Sequence, residues 1–126
     1  MRFLVMLCCA ALWSTAAVAG DVSSQFDTFC LEWMGKLAAR QEHNITHIKW
    51  DTKPEGVKGE YVGYTTEHTC TLKNATQVPI GKIIYREMVF QKVGSSIPEA
   101  EKSEARAIET TEVTEIFRYA AGKWVY

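Results

Sequence analysis

An apolar opening segment, residues 1–19, decides which part of this chain can build a folded core. Arg2 supplies a positive start and an apolar run covers residues 3–12. Ala17-Val18-Ala19 then offers the small residues after which a signal peptidase cuts. This pattern is typical of a cleaved signal peptide. We therefore expect a mature chain that begins at Gly20 and is located in the periplasm or outside the cell.

The remaining residues, 20–126, have a length that suits one compact domain. No Pro/Gly/Ser-rich linker and no internal repeat divides them, and no segment matches the apolar length of a membrane-spanning helix. Without Arg2, 13 of the 14 basic residues remain against 15 acidic ones. A balance this close to neutral argues against a nucleic-acid partner and, after signal cleavage, against a membrane partner.

Two cysteines, Cys30 and Cys70, remain once Cys8 and Cys9 are assigned to the signal peptide. In an exported domain such a pair most simply forms one disulfide. Closing a loop of about forty residues would stabilise the fold by about 4 kcal/mol in the chain-entropy model. The Cys-x-x-Cys spacing that is typical of redox-active pairs is absent.

The apolar pattern predicts one helix and then strands. Phe26, Cys30, Trp33 and Leu37 recur at helical spacing, which predicts the principal helix over residues 22–42. Beyond it the period changes to two. The predicted strands cover residues 45–51, 57–73, 80–93 and 110–119, and a turn at 120–123 lets residues 124–126 pair back.

The segment between the last two long strands, residues 94–108, is compatible with two structures. Ser96 and Glu99 form the pattern of a capping box, and Pro98 suits a first helical turn. The segment has no substantial apolar face that would hold a helix against the domain. A loop and a short surface helix both stay open.

The strand predicted over residues 80–93 is apolar on both of its alternating faces. Ile83 and Tyr85 share one face, whereas Ile84 and Phe90 share the other. Such a strand is either central and covered twice or part of an interface. We favour a surface through which the sheet contacts a protein partner or a second copy of the chain.

One N-terminal helix packed on a four- to five-stranded antiparallel sheet is an α+β fold. This element order resembles the cystatin-type and nuclear-transport-factor-type rolls. Gln91-Lys92-Val93-Gly94 comes close to the Gln-x-Val-x-Gly loop of the cystatins, with the glycine one residue early. The resemblance concerns the fold and does not settle function.

A pocket between the helix and the sheet is a second functional hypothesis. If Cys70 points at the helix, alternation along residues 57–73 turns Tyr64 and His68 inward as well. Trp33, Tyr64 and His68 would then line a small-ligand or enzyme site, with His68 as the acid or base. No nucleophile-and-base signature accompanies them, so we assign no catalytic residue and no cofactor.

Two further motifs have simpler interpretations. His43 and His47 have the spacing of helical metal ligands, but the predicted helix ends between them and no third ligand is evident, so we predict no metal site. Asn44-Ile45-Thr46 and Asn74-Ala75-Thr76 fit the glycosylation pattern, whose use depends on the host.

The large aromatic side chains on the predicted strands either form an exposed binding patch or cover the sheet, and we favour the second interpretation. They are Trp50, Tyr61, Tyr85 and Trp124. The leading functional hypothesis from the sequence is therefore an exported, non-catalytic binding or interaction domain of unknown specificity.

Overall fold

The computed structural model describes residues 18–75 and 78–126, and it confirms the α+β class: a long N-terminal helix packs on an antiparallel sheet. The predicted signal segment lies outside the described residues, apart from Val18 and Ala19, which belong to the first helix. Neither described helix combines the length and the apolar composition that crossing a bilayer requires. The elements are α1 (Val18–Thr46), β1 (Asp51–Lys53), β2 (Gly56–Tyr64), β3 (Thr69–Ala75), β4 (Val78–Gly94), α2 (Ile97–Lys102), β5 (Arg106–Ala120) and β6 (Lys123–Val125).

α1 buries the stripe that its sequence predicts. Phe26, Cys30 and Leu37 are buried, and Trp33 is half-buried against the same cluster. Because these residues recur every three or four positions, they lie along one side of the helix and meet the sheet together. The predicted core face is confirmed.

Aromatic rings fill the space between α1 and the sheet. The ring of Phe26 lies 4.6 Å from that of Trp124, measured between centroids. Phe29 and Trp33 each meet Phe117 edge-on, at 4.7 and 4.9 Å. Edge-to-face pairs of this kind stabilise a core by about 0.5–1.5 kcal/mol beyond the area that they bury. α1 is thereby fixed to β5 and β6.

β4 is the central strand of the sheet. β5 pairs with one of its edges, whereas β2 and β3 follow each other along the other edge. β1 pairs with β2, and β6 pairs with β5. Gln91–Gly94, which come close to a cystatin loop in sequence, form the last residues of β4 and not a loop.

β2 and β3 amount to one strand that a bulge interrupts, so the prediction of a continuous strand over residues 57–73 is wrong. Tyr64 lies opposite Glu87 and Thr69 opposite Ile84, so residues 65–68 face only residues 85–86 of β4. Residues 65–68 therefore leave the sheet.

Thr65 holds the start of this bulge against β4. Its backbone N–H donates to the carbonyl of Arg86 at 2.9 Å, and its hydroxyl oxygen accepts from the N–H of Arg86 at 3.0 Å. A side-chain hydroxyl thus occupies the place of the missing backbone carbonyl, which lets the chain bulge without leaving Arg86 unsatisfied.

α1 extends to Thr46, so the predicted strand over residues 45–51 is wrong. The side-chain amide of Asn44 donates to the carbonyl of Val62 at 2.9 Å, and Gln41 Oε1 accepts from the N–H of Tyr64 at 2.8 Å. These bonds satisfy the carbonyl of Val62 and the N–H of Tyr64 on the side of β2 away from β4, where β1 does not reach. They hold the last turns of α1 in place and cover the edge of β2.

The first half of β4 is covered by α1. Gly81 lies directly beneath the ring of Phe26, and Ile83 and Tyr85 are buried on the same side of the strand. The alternate residues of this half, which include Ile80 and Ile84, point away from α1.

In the second half of β4, the covered residues are the even-numbered ones, which alternate with the odd-numbered positions that are buried in the first half. Phe90 stacks on Tyr61 with ring centroids 5.1 Å apart, and Gly94 lies against Ala100 of α2. Lys92 Nζ donates to the carbonyl of Glu101 at 2.6 Å. Because different sides of β4 are covered in its two halves, apolar residues occupy both alternations. Ile83, Tyr85 and Phe90 therefore do not require an interface.

Residues 97–102 form the short helix α2, which decides between the two structures left open for this segment. Ser96 is the N-cap, and its hydroxyl accepts from the N–H of Glu99 at 3.3 Å. Ala100 is buried against Gly94. One small residue against a glycine gives the close contact that holds a helix without a broad apolar face.

Gly81 leaves no room for a side chain, because a Cβ at this position would overlap the ring of Phe26. We expect Gly81→Ala to lower the free energy of unfolding by about 1–3 kcal/mol. The control is Gly35→Ala in α1, where a Cβ meets nothing within 4 Å, and which should stabilise by about 1 kcal/mol. Urea denaturation measures both variants. Equal effects would contradict the packing of α1 on β4.

The Sγ atoms of Cys30 and Cys70 lie at disulfide distance, with Cα atoms 6.5 Å apart, and the pair joins α1 to β3. We expect Cys30→Ala/Cys70→Ala to lose up to about 4 kcal/mol of unfolding free energy relative to the oxidised protein. Dithiothreitol should lower the denaturation midpoint of the parent chain and leave that of the variant unchanged. A parent chain insensitive to dithiothreitol would exclude the crosslink.

Candidate functional site

Most of β5 has no neighbour on one of its two sides. β4 pairs with β5 along nearly its whole length, but β6 covers only residues 118–120 on the other side. Among the described residues, no other element lies along residues 106–117. We call these residues the β5 edge.

The β5–β6 hairpin shows which backbone groups point outward from this edge. Ala121 and Gly122 have φ of 51° and 79°, as a two-residue hairpin turn requires, so Ala120 and Lys123 form the bonded pair that flanks it. Backbone groups alternate sides along a strand. Even-numbered residues of β5 therefore direct their N–H and C=O groups away from β4.

β4 confirms this assignment independently. Arg86 lies opposite Glu112, yet it exchanges its hydrogen bonds with Thr65 on the other edge of β4. Glu112 consequently receives no backbone bond from β4. The outward backbone groups of the β5 edge belong to Thr110, Glu112, Thr114 and Ile116.

The β5 edge is long, exposed and rich in strand-forming residues. At about 3.3 Å per residue it extends roughly 40 Å. Thr110, Thr114 and Ile116 are exposed, and the side chain of Ile116 is 60% accessible. Glu109 and Glu112 are exposed as well and are the kind of charged residue that protects an edge from indiscriminate pairing.

Glu115 joins this edge to the core side of the sheet. The hydroxyl of Tyr85 donates to Glu115 Oε1 at 3.1 Å. Burial of the phenol and this bond to a carboxylate raise the pKa of Tyr85. The same carboxylate raises the pKa of Tyr126, whose ring stacks on Trp33 at 5.8 Å.

The structure does not bring the predicted pocket residues together. Trp33 packs against Phe117 and Tyr126, and Tyr64 meets Tyr85 edge-on at 6.1 Å. Tyr64 lines a depression of about 450 Å³ beside α1, whereas His68 lines another of about 240 Å³.

His68 is exposed, so the prediction that it points inward is wrong. Its Nδ1 lies 2.8 Å from the carbonyl of Thr66, within the bulge. The alternation argument assumed a continuous strand from Tyr64 to Cys70, and the bulge at residues 65–68 removes that assumption.

α1 ends at Thr46, so the helix ends between His43 and His47, as predicted. The rings of His43 and His47 stack at 3.9 Å, and His47 Nδ1 lies 2.8 Å from the carbonyl of His43. Within residues 18–75 and 78–126, no three His, Cys, Asp or Glu side chains are placed to hold a metal ion.

The amide of Asn44 is already bonded to Val62, which makes it a poor glycan acceptor in the folded protein. The side chain of Asn74 lies outside the described residues. The large aromatic residues cover the sheet: Tyr85 and Trp124 are buried, and Trp50 and Tyr61 are half-buried.

In comparisons with protein-family models, with curated proteins and with solved structures, nothing matches this chain. The sequence contained one signal for the β5 edge: a strand-forming run from Thr110 to Glu115 that is polar on both alternations except at Val113. A central strand buried on both faces does not have such a composition.

The raised pKa of Tyr85 makes stability depend on alkaline pH. The folded protein holds the phenolic proton more tightly than the unfolded chain, so this stabilisation is complete below the ordinary tyrosine pKa of 10.0 and is lost as the pH rises above it. We expect the unfolding free energy of the parent chain to fall more steeply above that pH than that of Tyr85→Phe. Parallel curves in urea denaturation would contradict the Tyr85–Glu115 bond.

Proposed function

We propose that the protein is a non-catalytic binding module that holds an extended segment of a partner polypeptide along the β5 edge. The observation that carries this proposal is the open run of residues 106–117, whose outward backbone groups have no partner strand among the described residues. Strand addition to an exposed sheet edge is a general mode of peptide recognition.

The added segment would pair with Thr110, Glu112, Thr114 and Ile116. Each backbone hydrogen bond contributes about 0.5–1.5 kcal/mol net, so affinity would come from the run as a whole and not from one contact. Threonine and isoleucine on the edge favour β-branched residues opposite them.

Charge on the edge favours a foreign segment over a second copy of this chain. Glu112 is exposed on this edge, and two copies paired antiparallel about this residue would bring their two Glu112 carboxylates close together. An uncharged or basic segment meets no such repulsion. A second copy of the chain is the competing occupant of this edge. Native mass spectrometry of the parent chain and of Thr114→Pro distinguishes it from a foreign segment.

An extracytoplasmic location is part of this proposal. Cys30 and Cys70 at disulfide distance are compatible with an oxidising compartment. The opening segment with its cleavage pattern supports export to the periplasm or the exterior.

Two proline variants test the edge. Thr114→Pro removes an N–H that points outward and should keep the fold, since proline is tolerated at sheet edges. Val113→Pro removes an N–H that faces β4 and should lower the unfolding free energy by at least about 1 kcal/mol. Hydrogen exchange in the parent chain should be fast at residues 110, 112, 114 and 116 and slow at the residues between them.

Peptides selected from a random library on the immobilised protein measure the binding itself. We expect selected peptides to slow exchange at the outward amides and to lose binding to Thr114→Pro while keeping it to Thr114→Val. Peptides that bind both variants equally would refute the edge as the site. A dimer in native mass spectrometry that Thr114→Pro dissociates would instead assign the edge to a second copy.

A further inference from the structure

A second surface lies on the sheet, on the side of β3, β4 and β5 that points away from α1. We call it the outer face. It includes Ile80, Lys82 and Ile84 of β4, which alternate with the buried Gly81 and Ile83. In the described part of the chain neither helix covers it, because α1 lies on the other side of this half of the sheet.

Three cations surround Ile80 on the outer face. Lys73 of β3 and Arg118 of β5 are its direct neighbours across the strands, and Lys82 follows two residues along β4. Strand spacing puts the Cα atoms of Lys73 and Arg118 about 10 Å apart and that of Lys82 about 7 Å from Ile80. Side chains of this length can converge on one anionic group above Ile80.

The outer face is more basic than the chain as a whole. Arg86 and Lys123 also lie on it, and Glu112, opposite Arg86, is its acidic strand residue. Lys73, Lys82 and Arg118 form no ion pair with any described residue. A chain with a formal net charge of −1 has thus concentrated positive charge on one surface.

Apolar and hydroxyl groups lie among these cations. The side chain of Ile116 is 60% accessible beside Lys82, and Thr71 stands on the other side of the same lysine. A sulfated glycan, which is polar and anionic over most of its surface, would cover Ile116 poorly. A bilayer interior would leave the hydroxyl of Thr71 unsatisfied. A protein surface supplies carboxylates, apolar contacts and hydrogen bonds together.

We propose that the outer face binds an acidic protein partner, whose carboxylates meet Lys73, Lys82 and Arg118 around an apolar contact with Ile116. This surface is separate from the backbone groups of the β5 edge. It does not depend on strand addition there.

The test uses a displayed peptide library in which aspartate or glutamate alternates with random residues, selected on the immobilised full chain. Lys82→Glu/Arg118→Glu should weaken binding of the selected peptides at least about tenfold, since opposite charges on the rim of an interface are converted into like charges. Lys36→Glu/Arg40→Glu changes the net charge equally at exposed positions of α1 and should alter binding less than about twofold.

Ile116→Ser separates a protein partner from a simple polyanion. We expect it to weaken peptide binding at least about threefold, because an apolar contact is lost. Thr110→Pro, which removes an outward N–H of the β5 edge six residues away from Ile116, should leave this binding unchanged, so failure of this proposal and of the edge proposal can be told apart. Circular dichroism and melting curves confirm that each variant is folded.

Three results would overturn the proposal. The first is equal weakening by the outer-face and α1 charge reversals, and the second is peptide binding that ignores Ile116→Ser. The third is binding of heparin, or of phosphatidylserine vesicles, that depends on Lys82 and Arg118 while acidic peptides do not bind.

Discussion

The contact between Phe26 and Gly81 is the constraint on which the rest of the structure depends. A glycine in the central strand lets the ring lie directly on the backbone of β4, and this sets the distance between α1 and the sheet. Phe117 and Trp124 complete the aromatic layer from β5 and β6. Once α1 is held at this distance, Cys30 meets Cys70 and the C-terminal turns of α1 reach β2.

The two long edges of the sheet differ in whether another element bonds to them. The functional proposals rest on this difference. On β2, Asn44 and Gln41 bond to the outward backbone groups of Val62 and Tyr64, so α1 covers this end of the edge. On β5, the described residues offer no such partner beyond the three residues that pair with β6. An unpaired backbone in an exposed strand has the donors and acceptors that an incoming strand needs.

Prediction from the sequence succeeded where a local pattern was sufficient. The spacing of Phe26, Cys30 and Leu37 identified the buried side of α1, and Ser96 marked the start of α2 as a possible helix. It failed at His68, because the bulge before it depends on Thr65 bonding to a strand that is distant in sequence. It also ended α1 too early, because the bonds that hold its last turns come from β2.

The sequence by itself determined the α+β class, the side of α1 that is buried and the proximity of Cys30 and Cys70. Periodicity and cysteine count are properties of the chain. Only the tertiary structure decided which side of β4 is covered in each half and which backbone groups of β5 face solvent. Side-chain alternation gives two equivalent faces to every strand. Which of the two faces is buried depends on the elements that pack or pair beside the strand.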